Sequence, residues 1–154
     1  TLRREYERAQ RHGRPFAVLM IDADGLKPTN DQHGHAAGDR LLTTIADVLK
    51  TALRGTDNCA RYGGDEFIVL LPEADAHTAI DAAERIRNGV ANTSFDVGGK
   101  RVQCTVSIGV ASYPEDANTL DELTAAADRA LYWAKNEGRD RVVMAQARKG
   151  LTAN

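Results

Sequence analysis

The chain has 154 residues, 42% of them hydrophobic and 27% charged, with a formal net charge of −2. That length carries one domain with a real core, and the near-neutral charge supplies no basic field for nucleic acid or a membrane surface. No apolar run approaches the length of a membrane span, and Cys59 and Cys104 read as reduced core thiols in predicted strands rather than a disulfide or metal pair.

The chain opens with a charged stretch of helical character, Leu2–His12, closed by Gly13 and Pro15. Residues 16–21 are continuously apolar, as in a strand buried on both faces. The run stops at Asp22-Ala23-Asp24-Gly25, and a polar segment follows whose Pro28 suits the first turn of a short helix. Gly34 and Gly38 flank a second break around His35. Residues 39–53 then repeat Leu41, Leu42, Ile45, Val48, Leu49 and Ala52 at helical spacing.

Residues 59–72 read as strand, Gly63-Gly64 turn and strand, the glycines supplying positive φ and the acids Asp65 and Glu66 following directly. An amphipathic helix is expected over about 75–91. A hairpin is expected over 95–112, turning at Gly98-Gly99, with Val102, Cys104, Val106, Ile108 and Val110 alternating toward one buried face. Thr119 and Glu122 form a capping box for a helix closed at Gly138. Residues 141–144 form a last strand, with a frayed tail beyond Gln146. The expected architecture is one α+β domain over 1–154, with helices on a mainly antiparallel sheet.

Asp22 and Asp24 sit where a buried strand ends, a place from which ligands are delivered with accuracy. The spacing excludes a calcium loop, because its sixth position is Lys27 and its twelfth is His33. A strand-end carboxylate beside a hairpin-tip carboxylate suits a magnesium ion held with substrate phosphates; turn and cap roles for Asp22 and Asp24 are the competing account. His33 and His35, without a nearby cysteine, make a poor zinc site. Lys135 and Arg139 either face a phosphate or serve as favourable cations at a helix C-terminus. Walker A, dinucleotide-fold and serine-nucleophile motifs are absent.

The string Arg61-Tyr62-Gly63-Gly64-Asp65-Glu66-Phe67 resembles the signature of GGDEF domains, the diguanylate cyclases of bacterial signalling. Four more segments match at the family's spacing: Ile21-Asp22-Ala23-Asp24-Gly25-Leu26-Lys27 with Asn30-Asp31; Gly34 through Asp39; Thr105 through Val110; and Ala127-Asp128 through Gly138-Arg139. The likeness covers roughly residues 13–144. It implies a fold like class III nucleotide cyclases and polymerase palms, and condensation of two GTP into cyclic di-GMP with release of pyrophosphate.

Carried over residue by residue, the resemblance makes Asp22 and Asp65 metal-binding carboxylates for Mg²⁺ or Mn²⁺, with the Ala23 carbonyl as a backbone ligand. Glu66 matches an acid of metal binding or proton removal. Asn30 and Asp39 match guanine contacts, and Lys27, Lys135 and Arg139 match phosphate contacts. Backbone at Gly25, Leu26, Gly63 and Gly64 completes the substrate site. Arg54 and Asp57 match an inhibitory Arg-x-x-Asp motif for the product, completed by Arg85. A two-fold-symmetric product from one-nucleotide domains implies a homodimer.

Leu26 stands where the family usually has an aromatic residue. The family's leading segment does not precede Thr1, which implies a cytoplasmic output domain whose sensor lies elsewhere in a longer protein. The alternative function is a degenerate domain that binds GTP or cyclic di-GMP without turnover.

Overall fold

The computed structural model describes residues 2–145. Its elements run α1 (Leu2–His12), β1 (Phe16–Asp24), α2 (Leu26–His33), α3 (His35–Ala52), β2 (Asn58–Arg61), β3 (Glu66–Pro72), α4 (Ala76–Ala91), β4 (Ser94–Val97), β5 (Lys100–Gln103), β6 (Thr105–Tyr113), α5 (Leu120–Asn136) and β7 (Val142–Met144). Five strands form one sheet in the order β2-β3-β1-β6-β7, and β4-β5 form a separate ribbon. Every pair in the main sheet is antiparallel except β6–β7. The domain is therefore α+β with a mainly antiparallel sheet, as the sequence pattern predicts.

β1 organises the core because it is buried along its whole length, and its alternating side chains divide between two layers. Ala17, Leu19, Ile21 and Ala23 join Leu41, Ile45 and Leu49 of α3 and Ile86 and Val90 of α4. Phe16, Val18 and Met20 face the opposite way, onto Ala9 of α1 and Leu123, Ala127 and Leu131 of α5. Helices thus cover both faces, and the polar end of β1 emerges between them.

Gly109 of β6 sets how α5 lies on the sheet. A Cβ there would stand 2.1 Å from the Ala127 carbonyl oxygen and 2.3 Å from the Leu131 nitrogen, so only glycine admits the helix backbone. Gly109 is opposite Met20 in the β1–β6 register, two residues before Asp22. Four helical residues advance about 6 Å and two strand residues about 6.6 Å. The close approach at Leu131 therefore delivers Lys135 over Asp22.

Several expectations are corrected. The 95–112 hairpin is split at Cys104: β4 and β5 pair only with each other, while β6 enters the main sheet. β6 is buried on both faces, not one, because α4 and α5 pack on opposite sides of the sheet. α3 begins at His35, and Gly38 lies inside it, where a Cβ would fall 1.9 Å from the Asn30 Oδ1. That glycine marks a close approach of α2, not a break. Neither Gly63 nor Gly64 has positive φ, since four residues, Tyr62 to Asp65, separate the strands, more than a tight two-residue turn needs. Cys59 is exposed on edge strand β2 and is no core thiol, whereas Cys104 is buried. The expected frayed tail beyond Gln146 lies outside the described residues.

The predicted N-cap at Thr119 forms, and the structure adds a second at Asp75. Asp75 accepts from the Thr78 N–H at 2.8 Å and opens α4. Thr119 accepts from the Glu122 N–H at 3.1 Å and opens α5, while the Glu122 carboxylate reaches back to the Asn118 N–H at 3.2 Å.

Candidate active site

Three segments distant in sequence meet at the end of β1. The first is β1 itself running into α2. The second is the turn between β2 and β3, which the register holds beside it: Asp22 is opposite Glu66, and the Ala23 N–H donates to the Asp65 carbonyl at 3.1 Å. The third is the end of α5, where the Lys135 ammonium pairs with Asp22 Oδ2.

Asp22 is 3% exposed, and its second oxygen, Oδ1, is buried without a hydrogen-bond partner. A buried carboxylate oxygen left unsatisfied is expensive, so the site is incomplete as a purely structural arrangement. Glu66 is half-buried, and burial, then the neighbouring Asp128 and Asp65 charges, push its carboxyl above the usual range. Lys135 is pushed down by burial and then by the nearby Arg139 cation. Like charges held together on each side of a cleft favour a ligand that brings the opposite charge.

The donors available for a cation are hard oxygens: the Asp22 and Asp65 carboxylates, the Ala23 carbonyl and, beside them, Glu66. No group of three His, Cys, Asp or Glu among the described residues is arranged to hold a metal alone. Such a set fits Mg²⁺, which binds through one or two carboxylates and completes its shell with water and substrate phosphates. His33 closes α2 and His35 opens α3, and they form no such cluster.

Gly25 caps α2 in the left-handed conformation, φ 78°, with no side-chain hydrogen bond to the first turn. The early N–H groups of α2, near Leu26 and the exposed Lys27, are thereby left for an anion. Arg139 lies across from Gly25, the two lining a cavity of about 360 Å³ with Asp24, Gln103 and Thr105. Asn30, on the next turn of α2, presses its buried and unpartnered Oδ1 against Gly38, one residue before the exposed Asp39. An acceptor without a donor, beside a carboxylate, suits a ligand that carries adjacent N–H groups.

The sequence pattern treats Asp24 like Asp22, as a strand-end ligand or as a turn or cap residue. Its oxygens instead accept from Thr105 Oγ1 at 2.8 Å, Ser107 Oγ at 2.8 Å and the Asp140 N–H at 3.1 Å. That saturation sets it apart from Asp22. Thr105 and Ser107 alternating on a neighbouring strand were the available signal, since hydroxyls aimed at one sheet face need an acceptor.

The predicted inhibitory residues gather at the far end of α3. Asp57, its side chain 2% exposed, accepts from the Arg54 N–H at 2.8 Å and pairs with its guanidinium at 3.3 Å. Arg85 of α4 donates to the Ala52 carbonyl at 3.0 and 3.2 Å, satisfying the last residue of the helix. Arg54 and Asp57 line a separate cavity of about 590 Å³ with Lys50 and Arg61.

The class these features define is a palm-like α+β domain with a hard-oxygen cleft flanked by cations. Residues 1–141 match the family described as diguanylate cyclase, GGDEF domain. Diguanylate cyclase A of Treponema denticola is 45% identical over 131 residues, 85% of this chain and 35% of that protein. The diguanylate cyclase SiaD of Pseudomonas aeruginosa, solved with its activator SiaC, superposes with a TM-score of 0.88 at 40% identity, covering 93% of this chain and 55% of that one. The GGDEF domain of DgcB from Caulobacter crescentus, solved with c-di-GMP, gives 0.89 at 30% identity and covers 94% and 86%. The chain belongs to the GGDEF family of diguanylate cyclases. It spans 20–38% of the length of the first three curated relatives it matches.

Proposed function

We propose that this domain condenses two GTP into cyclic di-GMP with release of two pyrophosphates, depends on Mg²⁺ or Mn²⁺, and works as a homodimer. The observation that carries the reading is the convergence of Asp22, Ala23, Asp65, Glu66 and Lys135 on one cleft, with Asp22 Oδ1 left unpartnered. Asp22, the Ala23 carbonyl and Asp65 would hold the metal, with Glu66 beside them. When bound, the metal neutralises phosphate oxygens and makes the attacking hydroxyl more acidic.

The chain's own residues do the rest. Lys135 and Arg139, with the first N–H groups of α2 and Lys27, bind the phosphates and stabilise charge gathering on the departing pyrophosphate. Glu66, beside Asp65 and opposite Asp22 at the end of β1, takes the proton of the attacking hydroxyl. Asn30 and Asp39 accept from the guanine ring N–H and amino group, a paired donor that adenine lacks. A hydroxyl of each nucleotide attacks the α-phosphorus of the other, one P–O bond forming as the bond to pyrophosphate breaks. Because one domain carries one nucleotide, two must face each other.

The product reading extends to Arg54, Asp57 and Arg85, whose planar guanidinium forks suit guanine edges and phosphate oxygens. The relative solved with c-di-GMP supports a ligand of that class. Among the described residues no helix is long and apolar enough to cross a membrane, and we infer a cytoplasmic domain driven by a sensor elsewhere in a longer protein. The deciding experiment is GTP turnover with Mg²⁺ in a dimer-forced protein, the product identified by mass. Specific activity of the free domain should rise with concentration through the dimer dissociation constant. Binding of GTP without any turnover would leave a nucleotide-binding module instead.

A further inference from the structure

Asp22 and Asp24 are two apart on one strand, and each engages the segment that carries two of the three candidate phosphate cations, Lys135 and Arg139. Asp22 pairs with Lys135 directly. Asp24 reaches Arg139 through the backbone, by accepting the N–H of the next residue, Asp140. We propose that Asp24 is a positioning residue that holds Arg139 in the phosphate-binding conformation; this rests on the reading of Arg139 as a phosphate contact.

The turn it holds is a strained one. Arg139 has φ 64° and Asp140 φ 44°, two successive side-chain-bearing residues in the left-handed region. Such a conformation persists only where its surroundings over-determine it. Besides the Arg141 Nε donation to the Arg139 carbonyl at 3.0 Å, three restraints act here. The Arg139 N–H donates to the Ala134 carbonyl at 2.9 Å. The Asp140 carboxylate accepts from Arg87 of α4 at 3.0 Å, a contact partly open to solvent. The third is the Asp24 carboxylate, 9% exposed, whose Oδ2 accepts from both Asp140 and Thr105 while Ser107 anchors its Oδ1. A bond from an N–H to a buried carboxylate is charge-assisted and less screened than the partly exposed Arg87 pair.

The rest of the Asp24 carboxylate is already committed to hydroxyls, so its remaining work is mechanical. It ties the loop after α5 to the central sheet, next to the Gly25 cap of α2 that Arg139 faces. Without it, Arg139 would keep its charge and lose its direction.

The test pairs a backbone measurement with a ligand measurement on the whole domain. Amide hydrogen exchange at Asp140 should be slow in the wild type, faster in Asp24→Asn, and fastest in Asp24→Ala. Affinity for a non-hydrolysable GTP analogue should fall in the same order, by about threefold and about tenfold, because a neutral acceptor is weaker than a carboxylate and a missing one leaves the N–H unsatisfied. In an Arg139→Ala background, Asp24→Asn should cost no further affinity. Should Asp24→Ala fail to fold, Asp24→Asn carries the test alone, since its amide can accept from Asp140 and donate to Ser107. Unchanged exchange at Asp140, unchanged analogue affinity despite faster exchange, or a full second loss in the Arg139→Ala background each overturns the proposal. Failure of the wild type to bind the analogue would instead strike the nucleotide reading, and the exchange data would still report whether Asp24 holds the turn.

Discussion

The cleft at the end of β1 and the corner at the end of α3 both gather charged side chains, yet they are finished to different degrees. In the cleft, Asp22 keeps a buried oxygen without a partner, Asn30 keeps another, and acids crowd one another around Glu66. At the corner, Asp57 is satisfied by Arg54, and Arg85 by the Ala52 carbonyl. A ligand in the cleft completes bonds that the fold leaves open. A ligand at the corner must first displace bonds that already exist, so its net gain is smaller. The cleft leaves polar atoms open for a ligand to satisfy, and the corner does not.

The largest effect expected from that contrast is nucleotide selection in the cleft. With Asn30 and Asp39 reading the base, kcat/KM for GTP should exceed that for ATP by on the order of 10⁴-fold, the discrimination available to a site built around specific hydrogen bonds. Comparable values for the two nucleotides would remove the base-reading role. Next comes Asp65→Asn, expected to lower metal-dependent turnover by about 10³-fold, while Asp65→Glu keeps part because the ligand charge survives. Equal turnover in wild type and Asp65→Asn would contradict the metal assignment.

The corner should respond more weakly. Arg54→Ala should reduce cyclic di-GMP affinity by about tenfold, measured by calorimetry in an Asp65→Asn background, because one charge-assisted contact is lost. Initial GTP turnover in the otherwise wild-type protein should stay near normal; an unchanged product affinity would leave 54–57 as a turn only. The smallest effect concerns α4, which carries Arg85. The Thr78 backbone N–H, then its side chain, hold the Asp75 carboxyl below its ordinary 3.8. A depressed carboxylate stabilises the fold above its unfolded pKa and loses that contribution as pH falls through the folded one. Asp75→Ala should therefore lower the melting temperature at neutral pH, with the gap closing in acid. A gap independent of pH would show that helix propensity and not the charged cap is responsible.

Most of the cleft was readable because its residues lie on short, dense strings, and because a buried strand that ends in acids is rare in composition. β1, α4, α5 and β7 followed from apolar periodicity and caps. What escaped was set by contacts distant in sequence. Gly38 reads as a breaker until Asn30 is seen against it, and Gly109 as a weak point in a strand until α5 is laid across it. The alternation of β6 suggests one wet face, which α5 covers. Asp24 could not be told from Asp22 by residue type, since only the tertiary structure decides which carboxylate is saturated and which is left open.

The order of strands has a consequence for synthesis. Within this domain β1 is made well before its partner β6, which begins at Thr105, and before the helix that brings Lys135 to Asp22, which ends at Asn136. A nascent chain emerges at roughly 5–20 residues per second, so the central strand waits several seconds with one edge and one face uncovered. Nucleotide binding can do little to help the early part of the chain fold, because Lys135 and Arg139, two of the three cations that would hold phosphate, arrive last. The domain must therefore protect β1 with the α3 and β2–β3 contacts made in the interim, and it acquires its ligand only once nearly the whole sequence is in place.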